Sequence, residues 1–259
     1  GVNINGSARI DGMTAQLGAA VPIAGGLAGD DGAFQKTYTL CNQGVSCTRL
    51  VAVGLKGEAL QFARGSFGGW KPFGRARRVT RSANNVLYEL DGEPALEIYK
   101  RYLGEHAKDL PGSGLLFPFE MLGDAREPTG LIRTILGVNE ADGSMTLAGA
   151  ISQGGYLRLM HAQTDSLVDG AQEAARATLR LMAQPTGAGL ALLVSCVGRK
   201  LLMGGRVDEE TEIVHTTLGA QATLAGFYSY GEIGPGPKIL SCQLHNQTMT
   251  ISYLSETAG

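Results

Sequence analysis

Two segments of this 259-residue chain have similar sequences, and this internal repeat constrains the fold more than any other feature. Residues 17–25 read Leu-Gly-Ala-Ala-Val-Pro-Ile-Ala-Gly, and residues 218–226 read Leu-Gly-Ala-Gln-Ala-Thr-Leu-Ala-Gly, so five of nine positions are identical without a gap. The same offset of 201 residues places Asp31 on Glu232 and Cys41 on Cys242. Repetition of this kind indicates a repeated supersecondary unit. We therefore predict two related, pseudo-symmetric halves.

Each copy shows the same succession of patterns. A helical stretch is followed by a short β-rich run, by a glycine-rich loop that carries an acidic residue, and by two strands that form a hairpin. The helix, the β-rich run and the two hairpin strands are predicted at residues 7–19, 21–24, 36–42 and 48–55 in the first copy, and at 206–219, 222–225, 238–245 and 247–254 in the second. The predicted unit is α-β-loop-β-β.

A further apolar strand, at residues 190–196, precedes the second copy. Its counterpart under the same offset would lie before residue 1. We therefore expect that the first half is truncated in this chain, and that residues belonging to it are missing at the N-terminal side.

The sequence between the two copies differs from both. Its periodicity predicts a helix that is capped by Thr164 or Asp165 and ends before residue 185, and another helix from Pro94 to Gly104. Strands are predicted at residues 76–82, 86–90, 131–138, 144–149 and 155–161, whereas residues 105–130 give no clear pattern. Helices that alternate with strands in two related halves predict an α/β or α+β protein with mixed sheets.

The charge balance excludes several classes of function. The chain has 22 basic and 24 acidic side chains, and only 18% of its residues are charged. Strong attraction to nucleic acid or to an anionic membrane is therefore not expected, and no stretch approaches the roughly 18 apolar residues of a membrane span. Four cysteines without a signal peptide are typical of a reducing compartment. We expect a cytoplasmic protein with no nucleic-acid or membrane partner.

The glycine-rich loop at residues 25–31 ends in Asp30 and Asp31 and follows a predicted strand. A phosphate-binding glycine loop needs a helix N-terminus directly after it, because that terminus supplies free amides and a positive dipole end. Residues 34–40 have the pattern of a strand instead, which disfavours a nucleotide site. Two interpretations of Asp30, Asp31 and the repeat partner Glu232 remain: contact with a polar ligand at the strand ends, or capping of the turn's own amides.

Cys196 ends the apolar strand and is followed by Arg199 and Lys200. A thiol beside these cations and a helix start could have a lowered pKa and act as a nucleophile, which is the basis of a cysteine-dependent enzyme hypothesis. No histidine adjoins Cys196 in the sequence to serve as its base. The alternative is a small buried residue at a strand end, and we favour this alternative and predict that the protein is not an enzyme.

Of the four histidines, His245 has the surroundings that best suit a functional role. It lies within Cys-Gln-Leu-His-Asn-Gln-Thr at residues 242–248, at the turn of the second predicted hairpin, where Asn246 and its neighbours can orient an imidazole. An axial haem ligand requires a neutral imidazole that faces an apolar slot. The sequence leaves two interpretations open, a haem ligand and a hydrogen-bonding residue that stabilises the turn.

Aromatic and cationic residues are interspersed at residues 67–78, which read Phe-Gly-Gly-Trp-Lys-Pro-Phe-Gly-Arg-Ala-Arg-Arg. Such a mixture can stack on bases and hold phosphates, can bind carboxylates through guanidinium groups, or can form a solvated strand face. Nucleic acid is disfavoured because the chain has no wider basic surplus. We predict that Trp70 lies in a loop as part of a pocket wall, and that Lys71, Arg75 and Arg77 contact an acidic ligand.

Several of these motifs resemble FIST domains. The C-terminal half of that family is similar to Cys-Val-Gly-Arg at 196–199, Arg-Val-Asp-Glu-Glu at 206–210, Leu-Ala-Gly-Phe-Tyr-Ser-Tyr-Gly-Glu-Ile at 224–233 and Leu-His-Asn-Gln-Thr-Met-Thr at 244–250. The preceding half is similar to Val-Pro-Ile-Ala-Gly-Gly-Leu-Ala-Gly-Asp-Asp at 21–31, Gly-Trp-Lys-Pro at 69–72 and Leu-Asp-Gly-Glu-Pro-Ala at 90–95. The resemblance covers essentially the whole chain. It implies the C-terminal portion of the N-terminal half at residues 1–92 and a FIST C-terminal domain at residues 93–259.

The resemblance implies a prokaryotic sensory module that binds a small ligand and reports to signalling proteins. Some stand-alone members bind haem and sense nitric oxide, with a separate histidine kinase or cyclic-di-GMP enzyme as partner, and others are proposed to sense amino acids or related metabolites. If haem is bound here, we expect His245 as the axial ligand and Arg75 or Arg77 beside the propionates. The alternatives are a metabolite sensor without haem, a cysteine-dependent enzyme and a purely structural interaction module. The candidate ligand-binding residues are Asp30, Asp31, Trp70, Lys71, Arg75, Arg77, Cys196, Arg199, Glu232, His245 and Asn246.

Overall fold

The computed structural model describes residues 4–18, 20–182, 188–235 and 242–257. The helices within these ranges are α1 (Gly6–Leu17), α2 (Ala95–Leu103), α3 (Thr164–Leu181), α4 (Val197–Met203) and α5 (Asp208–Leu218). The strands are β1 (Gly25–Gly26), β2 (Thr39–Cys41), β3 (Gly44–Ser46), β4 (Leu60–Phe67), β5 (Lys71–Ala83), β6 (Val86–Leu90), β7 (Glu93–Pro94), β8 (Phe119–Leu122), β9 (Pro128–Arg133), β10 (Ile135–Asn139), β11 (Ser144–Leu147), β12 (Tyr156–His161), β13 (Gly189–Cys196), β14 (Ala222–Ser229), β15 (Glu232–Pro235), β16 (Cys242–His245) and β17 (Met249–Glu256). The predicted α/β class with mixed sheets is confirmed.

One sheet has four strands in the order β14-β13-β17-β4. The strands β13 and β14 are parallel and are connected through α4 and α5, whereas β17 and β4 add antiparallel strands. The apolar strand predicted at residues 190–196 is confirmed as β13, in the interior of this sheet. The core of this part joins alanines of α3 and Val214 of α5 to Ala191 and Leu193 of β13. These helices therefore cover one face of the sheet.

A larger antiparallel sheet has the order β10-β11-β6-β5-β12-β8-β9, with β7 paired to β6. The 13-residue strand β5 pairs with β12 along its first part and with β6 along its second part. The first and last strands in this order, β10 and β9, are consecutive in the chain, with only Thr134 between them. The sheet therefore bends round on itself, with the long strands passing from one part to the other. Helix α2 packs against β6 and β11 and buries Leu96, Ile98 and Tyr99 in the core.

The two sequence copies agree in their helices and differ beyond them. Each of α1 and α5 ends at a glycine with positive φ, 85° at Gly18 and 89° at Gly219, whose amide donates to the carbonyl four residues earlier. Glycine adopts this conformation without the steric cost that a Cβ would add. After Gly219 the chain enters β14, which is paired to β13. The β-rich run predicted at residues 21–24 forms no strand, and no described strand pairs with it.

The two predicted hairpins are wrong in their pairing. In the second copy, β16 pairs with β15, whereas β17 lies between β13 and β4 in a different sheet. In the first copy, the hairpin consists of β2 and β3, and residues 48–55 contain no strand. Residues 238–241 of the predicted strand lie outside the described residues. Alternation of side chains indicates a strand but does not specify its partner, which depends on the edges that the rest of the fold leaves available.

Most elements predicted between the copies are confirmed, with shifted boundaries. The N-cap of α3 differs from the predicted one. Gln163 is the N-cap residue, and its backbone amide donates to Ser166 Oγ at 3.1 Å. The predicted caps Thr164 and Asp165 therefore lie within the helix. The strand predicted at 131–138 is divided at Thr134, and α3 ends at Leu181, before residue 185 as predicted. Strands β4 and β8 had no sequence prediction.

None of the described helices is long and apolar enough to cross a membrane. All four cysteines lie in the described ranges, and each is a free thiol.

Candidate functional site

The carboxyl ends of the parallel strands β13 and β14 lie side by side, with Cys196 opposite Ser229. Ligands of open α/β sheets bind at this edge. The turn from β13 into α4, the turn from β14 into β15 and residues 246–248, which we call the junction loop, meet there. The structure brings five of the predicted site residues to this region: Cys196, Arg199, Glu232, His245 and Asn246.

Arg199 is fully buried and is bonded to protein groups through all three guanidinium nitrogens. Its Nε and Nη2 donate to Glu210 Oε2 at 3.0 and 2.9 Å, while Nη1 donates to Gly68 O at 2.5 Å and Nη2 to Leu167 O at 2.8 Å. The other oxygen of Glu210 accepts from Tyr228 at 2.8 Å. Arg199 therefore holds α4 to α5, to the start of α3 and to the chain after β4, and little of its bonding capacity is left for a ligand.

Glu232 is a buried carboxyl group held by three donors. Its Oε1 accepts from Ser229 Oγ at 2.8 Å, and its Oε2 accepts from Thr248 N at 3.1 Å and from Thr248 Oγ1 at 2.9 Å. Burial raises the pKa of Glu232 to about 7, although these hydrogen bonds oppose the shift. The carboxyl group thus connects the turn after β14 to the junction loop and titrates near neutral pH.

The Cys196 thiol lies beside this carboxyl group and is also buried. Burial and the nearby Glu232 raise the pKa of the thiol above its ordinary value, and hydrogen bonds from the amides of Gly198 and Gln247 only partly oppose this. A nucleophilic cysteine needs a thiolate. The lowered pKa expected from the neighbouring cations is therefore wrong, and the geometry favours the alternative of a small buried residue at the strand end.

His245 ends β16 and is 1% exposed. Its Nε2 lies 2.9 Å from Gly234 O, and because a carbonyl can only accept, Nε2 carries the proton. Burial lowers the pKa of His245 to about 4, so the imidazole is neutral at physiological pH. Its position at the turn of a β16–β17 hairpin is wrong, since β16 pairs with β15. Neutrality suits an iron ligand, and because Nε2 donates its proton to Gly234 O, Nδ1 is the nitrogen whose lone pair iron would bind.

The junction loop contains two buried side-chain amides with unused acceptors. Asn246 is 1% exposed and Gln247 is 0% exposed, and neither Asn246 Oδ1 nor Gln247 Oε1 has a hydrogen-bond partner among the described residues. Gln247 Nε2 donates to Leu115 O at 2.8 Å, and Gln247 O accepts from Trp70 Nε1 at 2.9 Å. Trp70 lies in the predicted loop, between β4 and β5, and is a buried residue that holds the junction loop, while its role in a pocket wall stays a prediction.

Asp30 and Asp31 lie on the adjacent loop and have different surroundings. The Asp30 carboxylate accepts from the amides of residues 34–36 at 2.7 to 2.9 Å and from the Tyr230 hydroxyl, and the Tyr230 contact is the main reason that its pKa falls to about 2. Asp30 thus caps the amides of its own turn, which was one of the two interpretations. Asp31 is 81% exposed and pairs with Lys200 at 2.7 Å, unlike its buried repeat partner Glu232.

Arg75 and Arg77 lie on β5 of the larger sheet, and Lys71 begins that strand directly after Trp70, which contacts the junction loop. Lys71 is exposed, whereas Arg77 is mostly buried and donates to Asp91 Oδ2 at 3.0 Å and to Tyr102 OH at 3.3 Å. Strands β12 and β8 lie between β5 and the strand β9 that contacts β16. The partners of Arg75 and Arg77 are Asp91 and Tyr102, and no hydrogen bond or ion pair among the described residues joins either arginine to His245.

Comparison with known proteins agrees with this architecture. Residues 95–235, more than half of the chain, match the FIST C domain, and residues 1–93 match the FIST N domain. The chain belongs to the FIST family. FIST domains are in general small-ligand-sensing domains of signal transduction. No solved structure matches the chain significantly.

Relatives of this FIST chain occur in archaea and bacteria. An uncharacterized protein of Methanocaldococcus jannaschii, MJ1623, is 36% identical over 88 residues, which are 34% of this chain and 17% of that protein. The Mycobacterium tuberculosis protein Rv0628c is 30% identical over 176 residues, 64% of this chain and 44% of its own length, and the Mycobacterium bovis protein Mb0898c is 29% identical over 175 residues, with the same coverage. The matched part of this chain thus spans less than half the length of these relatives.

Sequence reasoning missed three residues of this FIST site, Glu210, Gln247 and Thr248, and it also missed Tyr102, which contacts Arg77 on the larger sheet. Acidic residues in the first turn of a helix such as α5 are favoured by the helix dipole alone, and only the fold shows that Glu210 points inward to Arg199. Gln247 and Thr248 lie beside His245 in the sequence, so the polar segment 245–248 carried a usable signal. Nothing near Tyr102 in the sequence connects it to Arg77, because 25 residues separate the two.

Proposed function

We propose that this FIST chain is a sensor that binds a small metabolite bearing hydrogen-bond donors at the carboxyl ends of β13 and β14. The observation that supports this site is the pair of unused, buried amide oxygens of Asn246 and Gln247. More than nine in ten buried polar groups in proteins are hydrogen-bonded, and an unmet one costs about 1–3 kcal/mol. A ligand donor, such as an amine or a hydroxyl group, would satisfy these oxygens and recover that free energy.

The junction loop also gives such a site a way to change the rest of the molecule. Gln247 contacts Trp70 before β5 and Leu115 before β8, both of which lead into the larger sheet. Gln247 itself has a φ of 64°, a conformation that non-glycine residues rarely adopt. A ligand that draws the Gln247 amide toward itself would alter the contact between the two sheets, and a population shift of this kind can serve as the signal.

The partner in this proposal is a separate signalling protein, a histidine kinase or a cyclic-di-GMP enzyme, and the place of action is the cytoplasm. Both parts of the proposal rest on family membership and on the free cysteines. Co-purification of the chain with each class of enzyme, with and without ligand, tests the partner. Ligand-independent or absent association with both classes would contradict it.

Haem-dependent nitric oxide sensing is the second candidate, supported by the neutral, buried imidazole of His245. In this tautomer Nδ1 would be the iron ligand, while Nε2 keeps its bond to Gly234 O. The absorption spectrum of protein expressed with haem supplied tests this candidate directly. A Soret band that is lost in His245→Ala would support it, and the absence of the band in the wild type would remove it.

A ligand screen tests the metabolite proposal. Primary amines, amino acids, amides, polyols and haem are added separately, and the Tm is measured for the wild type, for Asn246→Leu and for Asn42→Leu as an exposed control. At a concentration 100 times Kd, a ligand adds about 2.7 kcal/mol, which raises the Tm of a domain this size by roughly 5–10 °C. We expect this rise in the wild type and in Asn42→Leu, and its loss in Asn246→Leu.

Two outcomes of the screen would contradict the proposal. If no compound raises the Tm of the wild type, a purely structural interaction module explains the fold better. If a compound raises the Tm of Asn246→Leu as much as that of the wild type, the ligand binds elsewhere.

A further inference from the structure

The two outer strands of the four-stranded sheet β14-β13-β17-β4 differ in how far they are covered. At one side, β4 is buried or half-buried along its length except at Phe67. At the other side, β14 pairs with β13 and with no further strand among the described residues, and Thr223, Ala225, Gly226 and Phe227 are exposed. Because a strand with one neighbour bonds to it through alternate residues, β14 presents a row of amides and carbonyls along its outer side.

This open edge lacks the features that usually protect an outer strand. Native edge strands are short, charged, or interrupted by proline or a bulge, because an unprotected edge pairs with other chains. β14 has eight residues, whereas a typical strand has about 5–6. Its sequence, Ala-Thr-Leu-Ala-Gly-Phe-Tyr-Ser, contains no charged residue and no proline, and its register with β13 is regular throughout. The outer side of β14 is therefore suited to accept another strand.

The exposed side chains of this edge lie on the face of the sheet opposite α3 and α5. Leu224 packs against the core under these helices, so the alternate residues Thr223, Ala225 and Phe227 point to the other face. Phe227 is 45% exposed, and Leu190, the neighbour of Thr223 on β13, is 40% exposed. The open edge therefore continues into an exposed apolar surface.

Two copies of this edge are complementary to each other. A two-fold axis that passes through Ala225 at right angles to the sheet makes β14 antiparallel to β14 of a second copy and keeps the helices of both copies on the same side. Ala225 then lies opposite its own counterpart, and Phe227 lies opposite Thr223 of the second copy. An aromatic residue opposite a β-branched one is a favourable cross-strand pair. Because β14 has no charged residue, its self-pairing brings no like charges together.

We propose that β14 is a dimer interface, at which two copies of this chain form one continuous sheet by antiparallel pairing of their β14 strands. A second copy fits this edge better than a charged segment does, because charges would lie beside the apolar surface of Phe227 and Leu190. Pairing about a two-fold axis uses both open edges, so the assembly closes at the dimer. The interface contains no residue of the junction loop, so the proposal goes beyond the proposed function and needs no ligand.

Residue 225 gives the sharpest test, because the axis places its two copies side by side. Ala225→Lys brings two positive charges together and Ala225→Glu two negative charges, so each variant should raise the Kd of the dimer by about tenfold or more. An equimolar mixture of the two variants places a lysine opposite a glutamate and should restore the dimer. Ala83→Lys, at an exposed alanine of β5, is the matched control and should change the Kd by less than about twofold.

Sedimentation equilibrium over a range of concentrations gives the molar mass of each sample, and far-UV circular dichroism confirms that each variant is folded. Apolar side chains are also exposed at residues 38–55, so every sample carries Val53→Lys to suppress association through that segment. We expect dimers for the unchanged edge, for Ala83→Lys and for the mixture, and monomers for each charged variant alone. A monomer with the unchanged edge at all concentrations, a dimer that persists in both charged variants, or a mixture that stays monomeric would overturn the proposal.

Discussion

Arg199 and Glu210 are both fully buried, so neither charge is hydrated. Removal of two ions from water costs several kcal/mol for each ion, and only their mutual attraction and their further hydrogen bonds offset this. Each partner therefore depends on the other far more than the ions of a surface pair do. Because Arg199 lies in α4 and Glu210 in α5, the pair also holds these two helices together.

Replacement of one partner tests this dependence. Arg199→Met leaves the Glu210 carboxylate buried without its counter-ion, and we expect the free energy of unfolding to fall by about 3–5 kcal/mol. Arg206→Met is the control, because Arg206 is 49% exposed and solvent screens its ion pairs with Asp165 and Glu209, so the loss should be much smaller. Urea denaturation of both variants gives the comparison, and similar losses in the two would show that the buried pair has no special role.

Two further buried groups make stability depend on pH in opposite directions. The pKa of Glu232 is about 7 in the folded protein and 4.5 in the unfolded chain. Between pH 4.5 and 7 the folded protein therefore holds a proton that the unfolded chain has lost. Stability therefore falls as the pH rises from 4.5 to 7. The pKa of His245 is about 4, against 6.5, so only the unfolded chain binds this proton, and stability falls as the pH drops from 6.5 to 4. In the wild type the two effects largely cancel between pH 4.5 and 6.5.

Glu232→Gln separates these effects. The variant lacks the titrating carboxyl group of residue 232. The difference in the free energy of unfolding between the wild type and Glu232→Gln should therefore be larger at pH 5 than at pH 8, by about 3 kcal/mol. Denaturant titrations at both pH values, with the exposed Glu58→Gln as control, measure the difference. An advantage that is independent of pH would mean that Glu232 is ionised in the fold at pH 5.

At the scale of secondary-structure elements, local sequence determines where helices end, and contacts with distant strands determine which strands form. The helices α1 and α5 end alike because each has a glycine at the same place, Gly18 or Gly219. Residues 21–24 and 222–225 differ because only the second segment lies beside β13. A strand needs a partner for its backbone groups, whereas a helix satisfies its own.

Two glycine substitutions show this local control in opposite directions. Gly219→Ala places a Cβ on a residue with a φ of 89°, and we expect a loss of about 1 kcal/mol. Gly12→Ala lies within α1, where a Cβ meets no atom within 4 Å, and should raise stability by up to about 1 kcal/mol. Thermal unfolding of both variants tests the pair, and a gain in Gly219→Ala would contradict the assigned end of α5.

At the scale of the whole molecule, the larger sheet is joined to the rest of the fold through buried polar contacts and a small apolar cluster of Trp70, Met160, Leu167 and Met203. The Arg133 guanidinium group of β9 donates at 3.1 Å to Leu244 O of β16, a strand of the three-stranded sheet β1-β15-β16, and Trp70 before β5 donates to Gln247 O of the junction loop. Apolar side chains are exposed elsewhere, on the segment 38–55, where Leu40 is 72% and Val53 is 84% exposed. Exposed apolar residues that are close together favour association.

We therefore expect the chain to self-associate as its concentration rises. Val53→Lys adds a charge to an exposed, unpaired stretch with a strong tendency to form β-structure, and should shift the molar mass measured by light scattering toward the monomer without a change in Tm. Thr257→Lys, near the C-terminal end of the described residues, is the control for added charge. An unchanged distribution in Val53→Lys would show that this segment does not drive association.

The sequence by itself determined the elements with a strong local signal. The apolar run of β13, the amphipathic periodicity of α2 and α3 and the motifs typical of FIST domains depend on neighbours a few residues apart, so they can be read directly. The segment 242–248 was also identified as polar and unusual before its contacts were known.

Only the tertiary structure decided how these elements are paired and what state their side chains are in. β16 and β17 belong to different sheets because the available edges are formed by strands distant in the sequence. Cations beside Cys196 predicted a lowered pKa, but burial and Glu232, 36 positions away, raise it instead. Strand pairing, burial and charge compensation depend on residues that the fold brings together from far apart in the chain, and no local pattern contains that information.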